Sequence, residues 1–283
     1  MTLTIPNEAL LTLEPFVIAM PQVLGALDLS PFGVDVPAQN RFHPLELATT
    51  ALLDRLRALD QLTFGAEGMP MARWIFVDGA GLSGAIFGLG RAARDADRHV
   101  LAGLGIDRTD GSLVPYAMYI AIPSFEPGTW VGHNLASAAS VPAVGAKLRG
   151  LGSLTKALAL KAMQATHQIG AAQWSSPALR VHTRLGPLAL ESSWTPAHTK
   201  PWTYTYVARV TDDALRHLAR DPSGRVAFPE PTRWIESGDH RAMQRLQRDI
   251  ERGTRWCIAG PPEPIAAGGD APQQRVGLAL VPA

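Results

Sequence analysis

The period of the apolar positions is the first signal along the chain. From Leu45 to Leu62 apolar residues recur at helical spacing (Leu45, Ala48, Leu52, Leu56, Leu59, Leu62), with Arg55, Arg57 and Asp60 on the other side. Pro44 suits the first turn of that helix. Leu154 to His167 repeats the pattern through Leu154, Leu158 and Ala162. Asp239 to Arg252 does so with Met243, Leu246 and Ile250 inward and arginines outward. Shorter helices are predicted for Ala178–Leu185, started by Ser176 and Pro177 and stopped by Gly186, and for Thr211–Arg220.

Other stretches read as strands. Arg73–Asp78 and Gly84–Leu89, separated by Gly79 and Gly81, predict a hairpin. Leu113–Ile122 is a long β-type run, with Pro115 marking an entry or an edge. Ile169–Trp174, Pro187–Trp194, Trp202–Val210, Arg255–Ala259 and Val276–Val281 are the remaining strand candidates. Residues 91–98 predict a surface turn or short helix, 123–152 a long irregular loop, and 260–272 a disordered Pro/Gly segment. The expected fold is α/β (α+β): a mixed, mostly antiparallel sheet with helices on both faces. The expected organisation is one globular domain, 1–283, with an N-terminal extension 1–40 and a C-terminal helix/strand extension 211–283.

Composition narrows the chemistry. Hydrophobic residues make up 46% of the 283, enough to fill a core, and the formal charge of +1 argues against a nucleic-acid partner. The lone Cys257 excludes an intramolecular disulfide and two-cysteine zinc sites. Apolar runs fall short of the roughly 20 residues of a membrane span, so no membrane partner is expected. The first residues, with Glu8 and Glu14 and no basic region, do not read as a signal peptide, so a cytoplasmic location is expected. Only four lysines occur (Lys147, Lys156, Lys161, Lys200), none beside another, which removes the neighbouring-cation route to a reactive amine.

The most informative motif is Lys147, Arg149, Gly150, Gly152 and Ser153, opening the helix 154–167. Glycines at a helix start turn backbone N–H groups outward, and the helix dipole favours an anion there; a plain glycine turn is the competing account. A second glycine pattern, Ile122 to His133 with Gly128 and Gly132, follows the long strand directly and competes for the same role. A later segment runs Val181, His182, Arg184, Gly186, Pro187.

This arrangement resembles the GNAT superfamily of acyl-CoA-dependent N-acyltransferases over about residues 45–210. In that family an Arg/Gln-x-x-Gly-x-Gly/Ala loop starts the helix that binds the CoA pyrophosphate, and a later helix carries a Leu-Tyr-x-Lys-x-Gly-Phe pattern. Lys147 stands in the Arg/Gln place, His182 in the Tyr place and Pro187 in the Phe place. Some 25 residues separate the long strand from the 147–152 loop, where the family has none. The resemblance implies a transferase that moves an acyl group from acyl-CoA to a small-molecule amine or hydroxyl. Acyl-CoA is then a cosubstrate, with no tightly bound cofactor. Arg149, Gly150, Gly152 and Ser153 would bind it. His182, Glu126 and Tyr119 are the catalytic candidates: a histidine titrates near neutrality, a carboxylate follows the strand, and Tyr116 and Tyr119, three apart, face opposite sides with one able to line a cleft. The expected partner is a small-molecule substrate, and a homodimer is left open.

Two other readings stand beside this one. A non-catalytic binding protein would enclose an apolar ligand between Trp174, Trp202, Tyr204 and Tyr206, of which the last three share one face by alternation. A lyase would need a buried lysine. No metal is expected, since His133, Glu191 and His198 lack compact ligand spacing. Ser83 is not in a nucleophile elbow, and Cys257 reads as a buried thiol.

Overall fold

The computed structural model describes residues 2–107, 112–265 and 273–281. The chain falls into two compact units, Met1–Ala165 with Leu218–Pro222, and Thr166–His217 with Ser223–Ala283.

The first unit is built on five strands: β1 (Glu14–Ala19), β2 (Arg41–Phe42), β3 (Ala85–Ala92), β4 (Leu113–Pro123) and β5 (Thr129–Ser137). Their order is β2-β1-β3-β4-β5, antiparallel except for β1 and β2. Its helices are α1 (Glu8–Leu11), α2 (Pro21–Leu24), α3 (Thr50–Phe64), α4 (Arg73–Gly81), α5 (Arg98–Leu104), α6 (Pro142–Gly145) and α7 (Leu151–Ala162). Helices cover both faces of this sheet. Adjacent residues of β4 point to opposite sides. Tyr119 faces α7, with Lys156 Nζ 5.9 Å from its ring centre. Ile120 faces α4, where Gly79 lets it approach so closely that a Cβ would lie 3.1 Å from its methyl. The α+β class and the mostly antiparallel sheet are therefore as expected.

The second unit holds β6 (His167–Gln173), α8 (Leu179–His182), β7 (Leu188–Ser192), β8 (Thr203–Arg209), α9 (Asp212–Leu218), β9 (Arg233–Glu236), α10 (His240–Glu251), β10 (Trp256–Ile258), β11 (Glu263–Pro264) and β12 (Gln274–Leu280). Its strands run β6-β8-β7-β10-β12, all antiparallel. Strand β9 lies along the other edge of β12, and β11 pairs with the start of β12.

Several local expectations change. The segment 73–81 is a helix, not the first strand of a hairpin. Its buried residues Phe76, Gly79 and Ala80 sit at i, i+3 and i+4, the spacing of one helix face. The loop 123–152 contains β5, whose alternation is broken by a bulge: Ile120 pairs with Asn134 and Ala121 with Gly132, leaving His133 extra. Helix α3 begins at Thr50 after a 3₁₀ turn (Leu47–Thr49), so Leu45 and Leu47 are 64% and 89% exposed rather than core. Residues 1–40 supply β1, of which all but Glu14 is buried. The Pro/Gly segment 260–272 contains β11, and its remainder from 266 onward lies outside the described residues.

Candidate functional site

Helix α7 opens within the glycine motif, at Leu151 rather than Leu154, so Gly152 and Ser153 fall in its first turn, and it ends at Ala162, short of His167, which starts β6. Gly150 is its N-cap with φ +94°, a left-handed conformation that glycine takes without strain, and no side chain caps this end. The Leu154 N–H makes the first helical bond, to Gly150 O (2.9 Å), and Leu151 N–H turns back to Leu148 O (3.0 Å). The amides of Gly152 and Ser153 belong to the first turn, which has no preceding helical carbonyls to bond. Ser153 is buried and Arg149 is exposed. The approach to the helix is stitched by Asn7, whose Nδ2 donates to the carbonyls of Lys147 (2.8 Å) and Arg149 (3.2 Å).

A residue outside the motif completes this corner. The Arg220 side chain lies against Gly150: a Cβ there would meet Arg220 Cδ at 3.1 Å and Nε at 3.2 Å. Arg220 Nε is buried without a hydrogen-bond partner, and Arg220 itself has φ 64°. Sequence reasoning missed Arg220, 70 positions downstream, and no spacing rule could have linked it to the loop.

The same helix buries Lys156 completely, and burial lowers its amine to about 7. The cause is desolvation rather than a neighbouring cation, the route that the spacing of the four lysines removes. Tyr119, 2% exposed, lies under that amine; Tyr116, also 2% exposed, accepts the Asp97 N–H through its hydroxyl (2.7 Å). On the other face of the sheet Asp60 of α3 is fully buried. It accepts from Met71 N–H (2.6 Å) and Asn134 Nδ2 (2.5 Å). Burial raises its carboxyl above 3.8, while those two bonds and the charge of His133 pull it down.

The remaining candidates are dispersed. Glu126 is exposed at the tip of the β4–β5 turn, where its N–H binds Ser124 Oγ (3.0 Å) and its carbonyl accepts from Thr129 N (3.0 Å). The rival glycine pattern 122–133 is thus a β-hairpin and starts no helix. His182 ends α8 in the second unit, half-buried, its ring 5.3 Å from that of Tyr206. Tyr204 and Tyr206 share a buried face of β8, as alternation predicts, while Trp202 precedes the strand and stacks on His240 (5.1 Å, 7°). Cys257 is buried, and burial raises its thiol. Among the described residues no three His, Cys, Asp or Glu side chains gather as metal ligands, and no helix is long and apolar enough to cross a membrane.

No family model matches the chain, and no curated protein matches it. Among solved structures it is similar to the ribosomal-protein-S18-alanine N-acetyltransferase from Escherichia coli. That likeness has 13% identity and a TM-score of 0.39, over 57% of this chain and 90% of that one. The functional reading therefore rests on the chain's own geometry.

Of the seven residues singled out as site candidates, four (Arg149, Gly150, Gly152, Ser153) come together at the start of α7. Glu126 and Tyr119 belong to the same unit as that corner but to other neighbourhoods, the turn tip and the underside of α7. His182 belongs to the second unit.

Proposed function

We propose that the chain transfers an acyl group from acyl-CoA to a small-molecule amine or hydroxyl, using acyl-CoA as a cosubstrate. The observation that carries this reading is Arg220 against Gly150. A helix N-terminus is the positive end of the helix dipole, and a guanidinium placed beside it is unfavourable on its own. An anion bound to the first-turn amides relieves both charges at once, and a pyrophosphate suits two amides and a guanidinium. The left-handed backbone at Arg220 is a local cost of the kind found at ligand sites.

Strand β5 adds support. It takes 9 of the residues that separate the long strand from the loop, and the chain then leads toward the Gly150 corner through α6. In this reading the acceptor's proton passes to a general base or to a water that it polarises, and a backbone N–H stabilises the thioester oxygen. Glu126, exposed on a turn, and Tyr119, buried under α7, hold poor positions for that proton.

A calorimetric titration with acetyl-CoA, longer acyl-CoAs and free CoA tests the reading. The wild type is expected to bind, and Arg220→Leu to bind roughly 10-fold to 100-fold more weakly, as for a lost hydrogen bond to a charged group. Arg220→Leu is a cleaner probe than Gly150→Asp, which would also strain a φ of +94°. Absence of binding to the wild type, or equal affinity in a folded Arg220→Leu, would sink the reading.

A second reading, a small-ligand binder, is favoured by the Trp174, Tyr204 and Tyr206 cluster of the second unit. Tyr204 ring contacts are 5.0 Å to Trp174 and 6.0 Å to Tyr206.

A further inference from the structure

The second unit buries three aromatic residues that each carry a polar handle, Trp174, Tyr204 and Tyr206, all 0% exposed. Two of the handles are satisfied. Trp174 Nε1 donates to the Ser193 carbonyl (2.9 Å), and the Tyr206 hydroxyl accepts from Gln168 Nε2 (3.3 Å). The Tyr204 hydroxyl is buried with no hydrogen-bond partner. So is the carboxamide oxygen of Gln168, a residue 1% exposed.

These groups share one face of the β6–β8 pair. Gly170 stands opposite Tyr206, Ala172 opposite Tyr204 and Gln168 opposite Ala208, and residues opposite each other across a strand pair point to the same side. The small residues keep that face low. A Cβ on Gly170 would fall 2.4 Å from the Tyr206 hydroxyl oxygen. Phenylalanine at 204 would stack on Trp174 equally well and would bury no unmet donor. A tyrosine there is explained by a partner that the polypeptide does not supply.

We propose that the Tyr204 hydroxyl and the Gln168 carboxamide oxygen are the donor and the acceptor of a buried subsite for the amide group of a small neutral molecule. An unmet donor and an unmet acceptor select a ligand that offers one of each. A secondary amide does so within one flat group, whose C=O and N–H point in opposite directions: its carbonyl accepts from Tyr204 and its N–H donates to Gln168. An ester or a carboxylate has no donor for Gln168, and an ammonium has no acceptor for Tyr204. The rings of Trp174 and Tyr206 on either side of Tyr204 favour a flat group, and Trp174, Tyr204, Tyr206 and Gln168 bring no formal charge. The subsite stands on the second unit alone and does not depend on acyl-CoA binding.

The test is an NMR titration of the full chain with N-methylacetamide, N,N-dimethylacetamide and methyl acetate, following the Trp174 indole signal. The expected result is saturable binding of N-methylacetamide. The two probes without an N–H should bind about tenfold more weakly, and Tyr204→Phe should weaken N-methylacetamide by a similar factor, as for one lost buried hydrogen bond. Equal affinity for all three probes, unchanged binding in Tyr204→Phe, or no saturable binding overturns the proposal. A crystal structure in which one ordered water bridges Tyr204 and Gln168 and stays in place under N-methylacetamide overturns it as well. If Tyr204→Phe fails to fold, the probe series on the wild type decides.

Discussion

One face of the first unit's sheet buries a carboxyl and the other an amine, and the two faces handle these groups in opposite ways. Under α3, Asp60 is met by two donors from separate segments, Met71 N–H and Asn134 Nδ2. The carboxylate is the knot that ties the α3–α4 connection to the bulged strand. Under α7, Lys156 has its amine lowered by burial to about 7, with the Tyr119 ring beneath it. Burial raises the Asp60 carboxyl and its hydrogen bonds partly offset that, while the amine on the other face, with burial alone acting on it, approaches neutrality at ordinary pH. Burial pushes both groups toward pH 7 from opposite sides, and only the geometry of their partners separates a structural anchor from an adjustable amine.

The largest effect should come from Lys156. Its amine titrates near 10.5 when unfolded and near 7 when folded, so the unfolded chain holds the proton more tightly between those values. Stability should therefore rise with pH from about 7 to about 10.5, with the penalty present in full below 7. The span corresponds to roughly 5 kcal/mol. Lys156→Met should remove most of that rise in urea unfolding curves collected between pH 7 and 10. A wild-type stability that is flat or falling over this window would erase the contrast between the faces.

Packing comes next. Leu158 of α7 is 1% exposed, and Leu158→Ala should cost roughly 2–5 kcal/mol. A loss below about 0.5 kcal/mol would mean that α7 does not hold its face of the sheet. On the opposite face, Asp60→Leu leaves Met71 N–H without an acceptor and Asn134 Nδ2 with only the Met71 sulfur, at about 1–3 kcal/mol for the buried donor left unmet. Loss of amide protection at Met71 in hydrogen exchange would locate the damage. Asp60→Asn should have the smallest effect, below that of Asp60→Leu at neutral pH, because an amide oxygen can still accept from Met71 N–H. Its signature is in the pH dependence. The folded carboxyl titrates above 3.8, so the wild type loses stability as pH rises from 3.8 through that folded value. Asp60→Asn should lack this decline, and an unchanged acid profile would show that Asp60 is not its source.

Much of this was readable in the residues. Helices α3, α7 and α10 follow from a 3.6 period, and the shared face of Tyr204 and Tyr206 follows from a period of two. The start of α7 was marked by Gly150 because only a residue free to take a positive φ fits there. Helix α4 was hidden by Trp74, Ile75, Phe76 and Val77, a β-rich run whose burial at helical spacing is set by tertiary contacts. Strand β5 was hidden because Gly132 and the bulged His133 interrupt its alternation. Lys156 carried a signal that went unused, since it lies four residues from both Gly152 and Leu160 and so shares their inward face of α7. Arg220 carried none, because a contact between residues 70 apart leaves no trace in local pattern.

The stitch from Asn7 to the Lys147 and Arg149 carbonyls sets an order of events during synthesis. Thr4 N–H likewise bonds Asp221 Oδ2, 217 residues away. At about 5–20 residues per second on the ribosome, the first residues of the chain wait roughly 7–30 s for the 147–149 segment to be made. Closing a loop of that length carries an entropy that the two Asn7 bonds must overcome late in folding. The corner at Gly150 is therefore among the last parts of the first unit able to assemble, and a nascent chain halted before residue 147 would have every strand of that unit's sheet but neither the corner nor α7.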